Sequence, residues 1–214
     1  MDKLLNQENY WDSVAQKKEF TTPFQMELFE KFVPKEAHIL DVGCGYGRTL
    51  NELSLSGFTN LAGIDISKKM IVQGNKLYPH LNFKKHENSG IPFVDESFDA
   101  VILLAVLTCI INDTEQEKLM AEVHRVLQDD GVVYLNDFLI NSDQRNIDRY
   151  NQYKVKYGKY GTFELQEGVA LRHHTRTWID KLMSMFETIT LKPVIYTTMN
   201  GNKSKGLYYM GRKF

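Results

Sequence analysis

The stretch "ILDVGCGYGRTL", residues 39–50, sets Gly43, Gly45 and Gly47 at alternate positions between an apolar run and the start of a helix-like pattern. Glycine accepts left-handed backbone and close approach of other atoms, and the amides that open a helix offer unpaired donors with a partial positive charge. The stretch reads as strand, tight turn and helix start, suited to cradling a carboxylate or a phosphate. Taken alone it is equally an ordinary strand-to-helix turn. Its spacing is GxGxG, whereas the dinucleotide fingerprint runs GxGxxG with an acidic residue about 20 positions on. Asp65 closes the next strand-like run, 22 residues after Gly43, where a carboxylate can accept hydrogen bonds from ribose hydroxyls.

Working outward, strands alternate with amphipathic helices. "HILDV" (38–42), "NLAGIDIS", "LNFKKHE", "FDAVILLAVL" and "GVVYLNDFLI" are five strand candidates. Between them, "RTLNELSLSG" stops at Gly57, "SKKMIVQGNKLYP" starts at the cap Ser67 and ends before Pro79, and "TEQEKLMAEVHRVL" carries Leu119, Val123, Val126 and Leu127 on one face. This order predicts an α/β fold, a doubly wound parallel sheet with helices on both faces and right-handed crossovers. Its ligands belong at the carboxyl ends of the strands, where the strand order reverses, and the glycine turn lies there. Residues 141–172, rich in tyrosine and polar side chains, interrupt the rhythm and read as an inserted cap. A helix around 174–186 then leads to "TITLKPVIYTT" and "KGLYYMGRKF", an antiparallel hairpin joined at "MNGNKS".

The chain has 214 residues, 43% hydrophobic and 25% charged, an ordinary globular composition with room for one large core. The 26 basic and 27 acidic residues leave a net charge of -1, so long nucleic acid is not favoured as a partner. No apolar window is long enough to span a bilayer and no signal core opens the chain, so a membrane role is not expected. Cys44 and Cys109 form no disulfide framework, which suits a reducing cytoplasm. The expected organisation is a single domain over 1–214: N-terminal helices over 1–36, a cofactor-binding core over 37–140, a substrate cap over 141–172, and a C-terminal helix and hairpin over 173–214. A monomer or homodimer is expected.

"ILDVGCGYGR", "GIDIS", "ENSGIPFVDESFDAVIL" and "EVHRVLQDDGVVYLNDF" resemble, in order and interval, the successive motifs of the class I (Rossmann-like) S-adenosylmethionine-dependent methyltransferases. The likeness covers roughly residues 37–140 and implies a seven-stranded, mostly parallel sheet whose last strand is antiparallel. It implies that Gly43, Cys44, Gly45 and Gly47 line the methionine part of the cofactor, with Asp41 near its ammonium. Asp65 is implied to hold the ribose, Ile66 to pack on adenine, Glu87 and the amide of Asn88 to read the adenine edge, and backbone at Leu104 and Ala105 to border the methionine end. "QDDG" stands where the family commonly has "PGG". "AVLTCI" stands where enzymes that methylate base amino groups carry an NPPY-type grip, which argues against that chemistry. The run Arg145-Asn146, Arg149-Tyr150, Tyr153, Tyr160-Gly161, Phe163, Arg172–His174, Trp178 and Thr198–Asn202 is also similar to a group of uncharacterised bacterial class I methyltransferases.

A sulfonium methyl is already activated, so alignment of the acceptor and exclusion of water supply much of the catalysis, and neither a metal nor a covalent intermediate is required. A general base is needed only for an acceptor that is protonated at working pH. The acceptor is expected among Tyr10 and Trp11 of an N-terminal helix, Cys109, Arg145, and the cap tyrosines Tyr150 and Tyr157. The N-terminal helix is read either as a lid over the cofactor or as a helix packed on the sheet edge. One or two of the cap tyrosines are assigned to a pocket for an apolar or cationic acceptor, and the others to packing. Asp137, His173, His174 and Tyr160 are the candidate acid–base groups, each with a structural alternative: a loop cap for Asp137, a buried hydrogen bond for a histidine. No His-and-Cys cluster has ligand spacing, so no metal is expected. The expected function is methyl transfer from S-adenosylmethionine, releasing S-adenosylhomocysteine, to a small molecule. An RNA methyltransferase, a nicotinamide-dependent oxidoreductase and a non-catalytic binding module are the alternatives.

Overall fold

His38–Val42 (β1) opens a parallel sheet continued by Asn60–Asp65 (β2), Asn82–Lys85 (β3), Phe98–Leu104 (β4) and Leu127–Phe138 (β5). The computed structural model describes residues 2–86 and 90–214, with residues 2–6 described by backbone alone. Its helices are Asp2–Val14 (α1), the single turn Met26–Phe29 (α2), Arg48–Leu55 (α3), Lys68–Leu77 (α4), Asp113–Val126 (α5), Gln144–Tyr157 (α6) and Arg176–Leu182 (α7). Thr162–Glu164 (β6) and Ala170–Arg172 (β7) pair as a small separate hairpin, and Phe186–Thr197 (β8) and Lys203–Lys213 (β9) complete the main sheet. The seven strands run β3-β2-β1-β4-β5-β9-β8, and β9 is antiparallel to both its neighbours.

Side chains alternate across a strand, so a sheet covered on both sides needs apolar residues at successive positions. Ile39, Ala100, Ile102 and Tyr134 face one core with Phe29, Leu50, Leu53 and Phe58. Leu40, Val42, Val101 and Leu103 face the other with Met120, Val123, Val126 and Ile179. The helix starts are set by side-chain caps: Ser67 accepts from the Met70 amide, Asn112 from Glu115, Asp143 from Asn146 and Thr175 from Trp178. After β1 the chain moves to β2 on one side and later returns to β4 on the other. The switch point between β1 and β4 is therefore where the glycine turn sits.

Several boundaries differ from the expectation. The fourth strand stops at Leu104 because Ala105 takes a left-handed φ of 56°, and a 3-10 turn, Leu107–Cys109, follows. The fifth begins at Leu127: Phe98 lies opposite Leu127 and Ala100 opposite Val132, so "QDDG" is a bulge with Asp130 at φ 62°. The helix expected around 174–186 is α7 plus a 3-10 turn at Met183–Met185. The cap is ordered as α6 and the β6/β7 hairpin; α6 ends at Gly158 with φ 64°. Among the described residues no helix is long and apolar enough to cross a membrane.

Candidate cofactor and acceptor site

The turn after β1 is pinned to β2, since the amides of Gly43 and Cys44 donate to the Ile64 carbonyl at 2.8 and 3.0 Å. Gly45 has φ 56° and Gly47 φ 87°. A side chain at Gly45 would run into the ring of Phe20, and one at Gly47 into Phe83. The glycines thus serve the protein's own aromatic rings as well as the cavity beside them. Gly47 precedes the first residue of α3 and does not line that cavity.

A cavity of about 320 Å³ opens at the carboxyl ends of β1, β2 and β4. Asp41, Gly43, Cys44, Gly45, Asp65, Ile66, Leu104 and Ala105 all line it. Glu87 and Asn88, the remaining residues expected at the cofactor, lie outside the described residues. Asp65 accepts from the amides of Gly45 and Ser67, both at 2.8 Å, which fixes its carboxylate at the cavity edge. Burial pushes its pKa up to about 6, and the two amides hold it from rising further. Asp41 is 2% exposed, and its carboxylate has no hydrogen bond among the described residues. Burial pushes its pKa up to about 8 against the pull of the Arg48 guanidinium. Ala105, in its strained conformation, donates its amide to Asn136 O at 2.7 Å, which holds the end of β4 in place.

The roof comes from three parts of the chain. Tyr10, Trp11 and Gln7 of α1 line the cavity. Asp12 anchors that helix, since its Oδ1 accepts from Ser67 Oγ at 2.5 Å and the Lys69 amide at 3.0 Å. Gln7 Nε2 donates to Ala170 O at 2.7 Å, joining α1 to the cap hairpin. Helix α1 therefore covers the cavity and also packs: Tyr10 and Val14 bury against Val169. The Gln7 Oε1 and Tyr10 Oη atoms are buried without partners among the described residues. Phe20 stacks on Tyr46 at 5.0 Å, and the β8–β9 turn brings Thr198, Met199, Asn200 and Asn202 to the rim. Lys18 ties these segments, donating to Asn200 Oδ1 at 3.3 Å and pairing with Glu167 at 3.6 Å.

The third wall is the cap with the end of β5: Cys109, Phe138, Arg145, Arg149, Phe163 and His173. Arg149 lays its guanidinium over Phe163, 3.4 Å from the ring centroid, and donates from Nη2 to Asn146; its Nε is buried without a partner among the described residues. Burial lowers its pKa to about 10. His173 is 5% exposed, stacked on Phe138, with Nδ1 2.6 Å from the Tyr150 hydroxyl. That hydroxyl already accepts from the Asn141 amide at 3.3 Å, and its other neighbour, Arg149, is also a donor. The network therefore assigns the hydroxyl proton to His173 Nδ1 and leaves Nε2–H as a donor. Burial holds the imidazole well below its usual pKa, so the ring is neutral.

Of the four candidate acid–base groups, His173 alone lines the cavity. Asp137 turns under the wall, where its carboxylate accepts from the amides of Thr108 (3.2 Å) and Phe138 (2.7 Å) and so caps the turn after β4. His174 is fully buried beside it, Nε2 to Asp137 Oδ1 3.7 Å, and burial lowers its pKa to about 3. Tyr160 is 42% exposed and packs edge-on against Tyr150. Among the expected acceptor residues Tyr10, Trp11, Cys109 and Arg145 line the cavity, whereas Tyr150 and Tyr157 do not. Tyr150 is fully buried behind His173, and Tyr157 turns its hydroxyl to Glu164. Both tyrosines lie on the face of α6 that packs, so a tyrosine-rich pocket does not form.

Sequence reasoning missed Phe20, Phe163 and the 198–202 turn, and left Arg149 without a role of its own. Only the turn had a readable signal: an antiparallel strand beside β5 must begin at the carboxyl end of the sheet, which carries "TMNGN" to the site.

Residues 40–135 match the family model described as a methyltransferase domain. The chain is 27% identical over 146 residues to the eEF1A lysine and N-terminal methyltransferase of Mus musculus, covering 60% of this chain and 21% of that protein. It is 30% identical over 136 residues to the demethylmenaquinone methyltransferase of Chlorobaculum parvum, covering 64% of this chain and 52% of that one. The chain thus spans about a fifth to a half of the length of these curated relatives. A crystal structure of a SAM-dependent methyltransferase from Methanosarcina mazei superposes with a TM-score of 0.83 at 25% identity, covering 87% of this chain and 97% of that one. Residues 40–135 thus match a methyltransferase domain, and the sheet has the fold of the SAM-dependent methyltransferase on which it superposes.

Proposed function

We propose that this chain is a class I methyltransferase that moves the methyl group of S-adenosylmethionine to a small-molecule acceptor held under the cap. The observation that carries the reading is the buried carboxylate of Asp41, without a hydrogen bond among the described residues, at the floor of a roofed cavity. A carboxylate in that state favours a cation, and the cofactor brings an ammonium and a sulfonium. When bound, S-adenosylmethionine supplies an electrophilic methyl that needs no further activation.

The chain's own residues do the rest. Asp41, with the orphaned Gln7 Oε1, takes the ammonium, and Asp65, already oriented by two backbone amides, accepts from the ribose hydroxyls. Ile66 and Met70 offer an apolar surface for adenine. Trp11 and Phe20 close over the glycine turn and exclude water, which strengthens each of these contacts. Held in this way, donor and acceptor react as neighbours, and positioning accounts for the acceleration. His173 presents N–H to the cavity, so it positions the acceptor by donating and does not take a proton.

The roof of α1, the Phe20 segment and the β8–β9 turn favours a small acceptor over a macromolecule. The demethylmenaquinone relative points the same way, while the eEF1A relative makes a protein acceptor the competing reading. The test offers the protein methyl-tritiated S-adenosylmethionine with three separate pools: the small-molecule fraction of a cell extract, its RNA and its protein. Label is expected in the first pool. Label confined to RNA or protein overturns the small-molecule assignment.

A further inference from the structure

The cavity is electrically two-sided. Its floor at the strand ends carries Asp41 and Asp65, with Arg48 beside them. Its cap wall carries Arg145 and Arg149, and no carboxylate of the described cap residues lines that wall. Arg145 is exposed, with Asp143 3.7 Å away, but Arg149 forms no ion pair among the described residues. A half-buried guanidinium without a counter-charge is costly, and a partnerless buried Nε adds to the cost. The same wall carries His173, whose Nε2–H is left as the donor by the Tyr150 hydroxyl at Nδ1. Arg149 is itself held in place, braced by Asn146 and stacked on Phe163. Such a wall offers only donors to whatever enters, together with the aromatic faces of Phe138 and Phe163.

We infer that the acceptor is a small carboxylate with an apolar or aromatic body, its carboxylate taken by Arg149 and the His173 Nε2–H and its body laid along Phe163 and Phe138. A planar guanidinium edge suits a carboxylate in geometry as well as charge. The arrangement also assigns the cavity's polarity: the cationic cofactor goes to the acidic floor and the anionic acceptor to the basic wall. An ammonium-bearing acceptor such as a lysine side chain would meet like charge there. The inference rests on the proposed methyl transfer, and its test separates the two.

The experiment titrates the S-adenosylhomocysteine-loaded protein with matched pairs of small acids and their primary amides, among them benzoate and benzamide, and 3-phenylpropanoate and its amide, with binding read by calorimetry. Binding confined to acids is expected, weakened at least tenfold by Arg149→Gln and less by Arg149→Lys, while the affinity of both variants for S-adenosylhomocysteine stays within twofold of the parent. That unchanged affinity also shows that the variants are folded. Three results overturn the inference: equal binding of acids and amides, binding of neither, or an Arg149→Gln variant that loses S-adenosylhomocysteine as well. The last would mean that Arg149 holds the cofactor's own carboxylate. If the parent protein does not bind S-adenosylhomocysteine at all, the cofactor reading has failed, a result distinct from the first two.

Discussion

Asp41 is held protonated near neutrality by burial, with a pKa of about 8, and a bound ammonium would favour its ionised form. Binding below that pH therefore releases a proton. The affinity for S-adenosylhomocysteine is expected to rise from pH 6 to pH 8, by up to about tenfold per unit where Asp41 is mostly protonated. Calorimetry at several pH values checks this, and Asp41→Asn should both weaken binding and flatten the profile over that range. Asp65, raised to about 6, adds the same trend at lower pH. The unliganded fold has the opposite dependence. Folded-state pKa values above the unfolded values near 4 mean that the native state binds more protons there. The buried His173 and His174, with depressed pKa values, oppose this below about pH 7. The melting temperature should therefore fall from about pH 7 to pH 9, where of these groups only the buried carboxylates Asp41 and Asp137 still titrate. A melting temperature that rises steadily over that range would contradict the assigned burial of Asp41 and Asp137. Gly45→Ala adds a Cβ to a left-handed residue whose space is filled by Phe20, and should cost about 1–3 kcal/mol in thermal unfolding besides displacing the roof.

At this scale the sequence was informative where the chemistry is local. Asp41, the glycines and Asp65 sit within or directly after a strand, and their placement follows from the turn that joins strand to helix. Asp137 and His174 misled because position near a strand end does not give side-chain direction. Phe138 faces the cavity, and its neighbour Asp137, one residue earlier in the alternation, faces underneath. Arg149 becomes legible only once α6 and the β6/β7 hairpin are packed against each other.

Helix α1 is an element whose contacts are few and specific. Asp12 is its anchor to the start of α4, and the Gln7 side chain its anchor to the cap. Asp12→Ala should raise the KM for S-adenosylmethionine several-fold and increase hydrogen exchange in α1, with little change in the global melting temperature, because the two cores of the sheet are untouched. A large loss of global stability would show instead that α1 is part of the main fold and not a cover. The strand and helix rhythm that predicted the sheet came from long apolar runs such as "FDAVILL", buried on both faces. The cap escaped the same reading because α6 is strongly polar and buries little beyond Asn146 and Tyr150.

Across the whole molecule, Asn141 joins the end of β5, the cap and the β8–β9 hairpin. It is 4% exposed; its Nδ2 donates to Leu139 O at 2.7 Å and Ser204 Oγ at 3.1 Å, and its Oδ1 accepts from the Lys205 amide at 2.7 Å. Asn141→Ala leaves a buried amide and carbonyl without these partners and should cost about 2–3 kcal/mol in chemical denaturation. Acceptor binding should weaken as well, since the Asn141 Nδ2 also lies 3.4 Å from His173 Nδ1, whereas the backbone amide that donates to Tyr150 is kept. The doubly wound sheet places the acidic floor at the β1/β4 switch point. The antiparallel β9 then brings the 198–202 turn to the same end, so that cofactor floor, roof and acceptor wall meet in one cavity.

The most direct measurement is a calorimetric titration of the protein with S-adenosylhomocysteine, with NAD run beside it and Asp65→Ala as the matched variant. Binding of S-adenosylhomocysteine, none of NAD, and a loss of about ten- to hundredfold in Asp65→Ala are expected, as removal of charge-assisted hydrogen bonds entails. Binding of NAD alone, or an Asp65→Ala variant with unchanged affinity for S-adenosylhomocysteine, would contradict the proposed cofactor site.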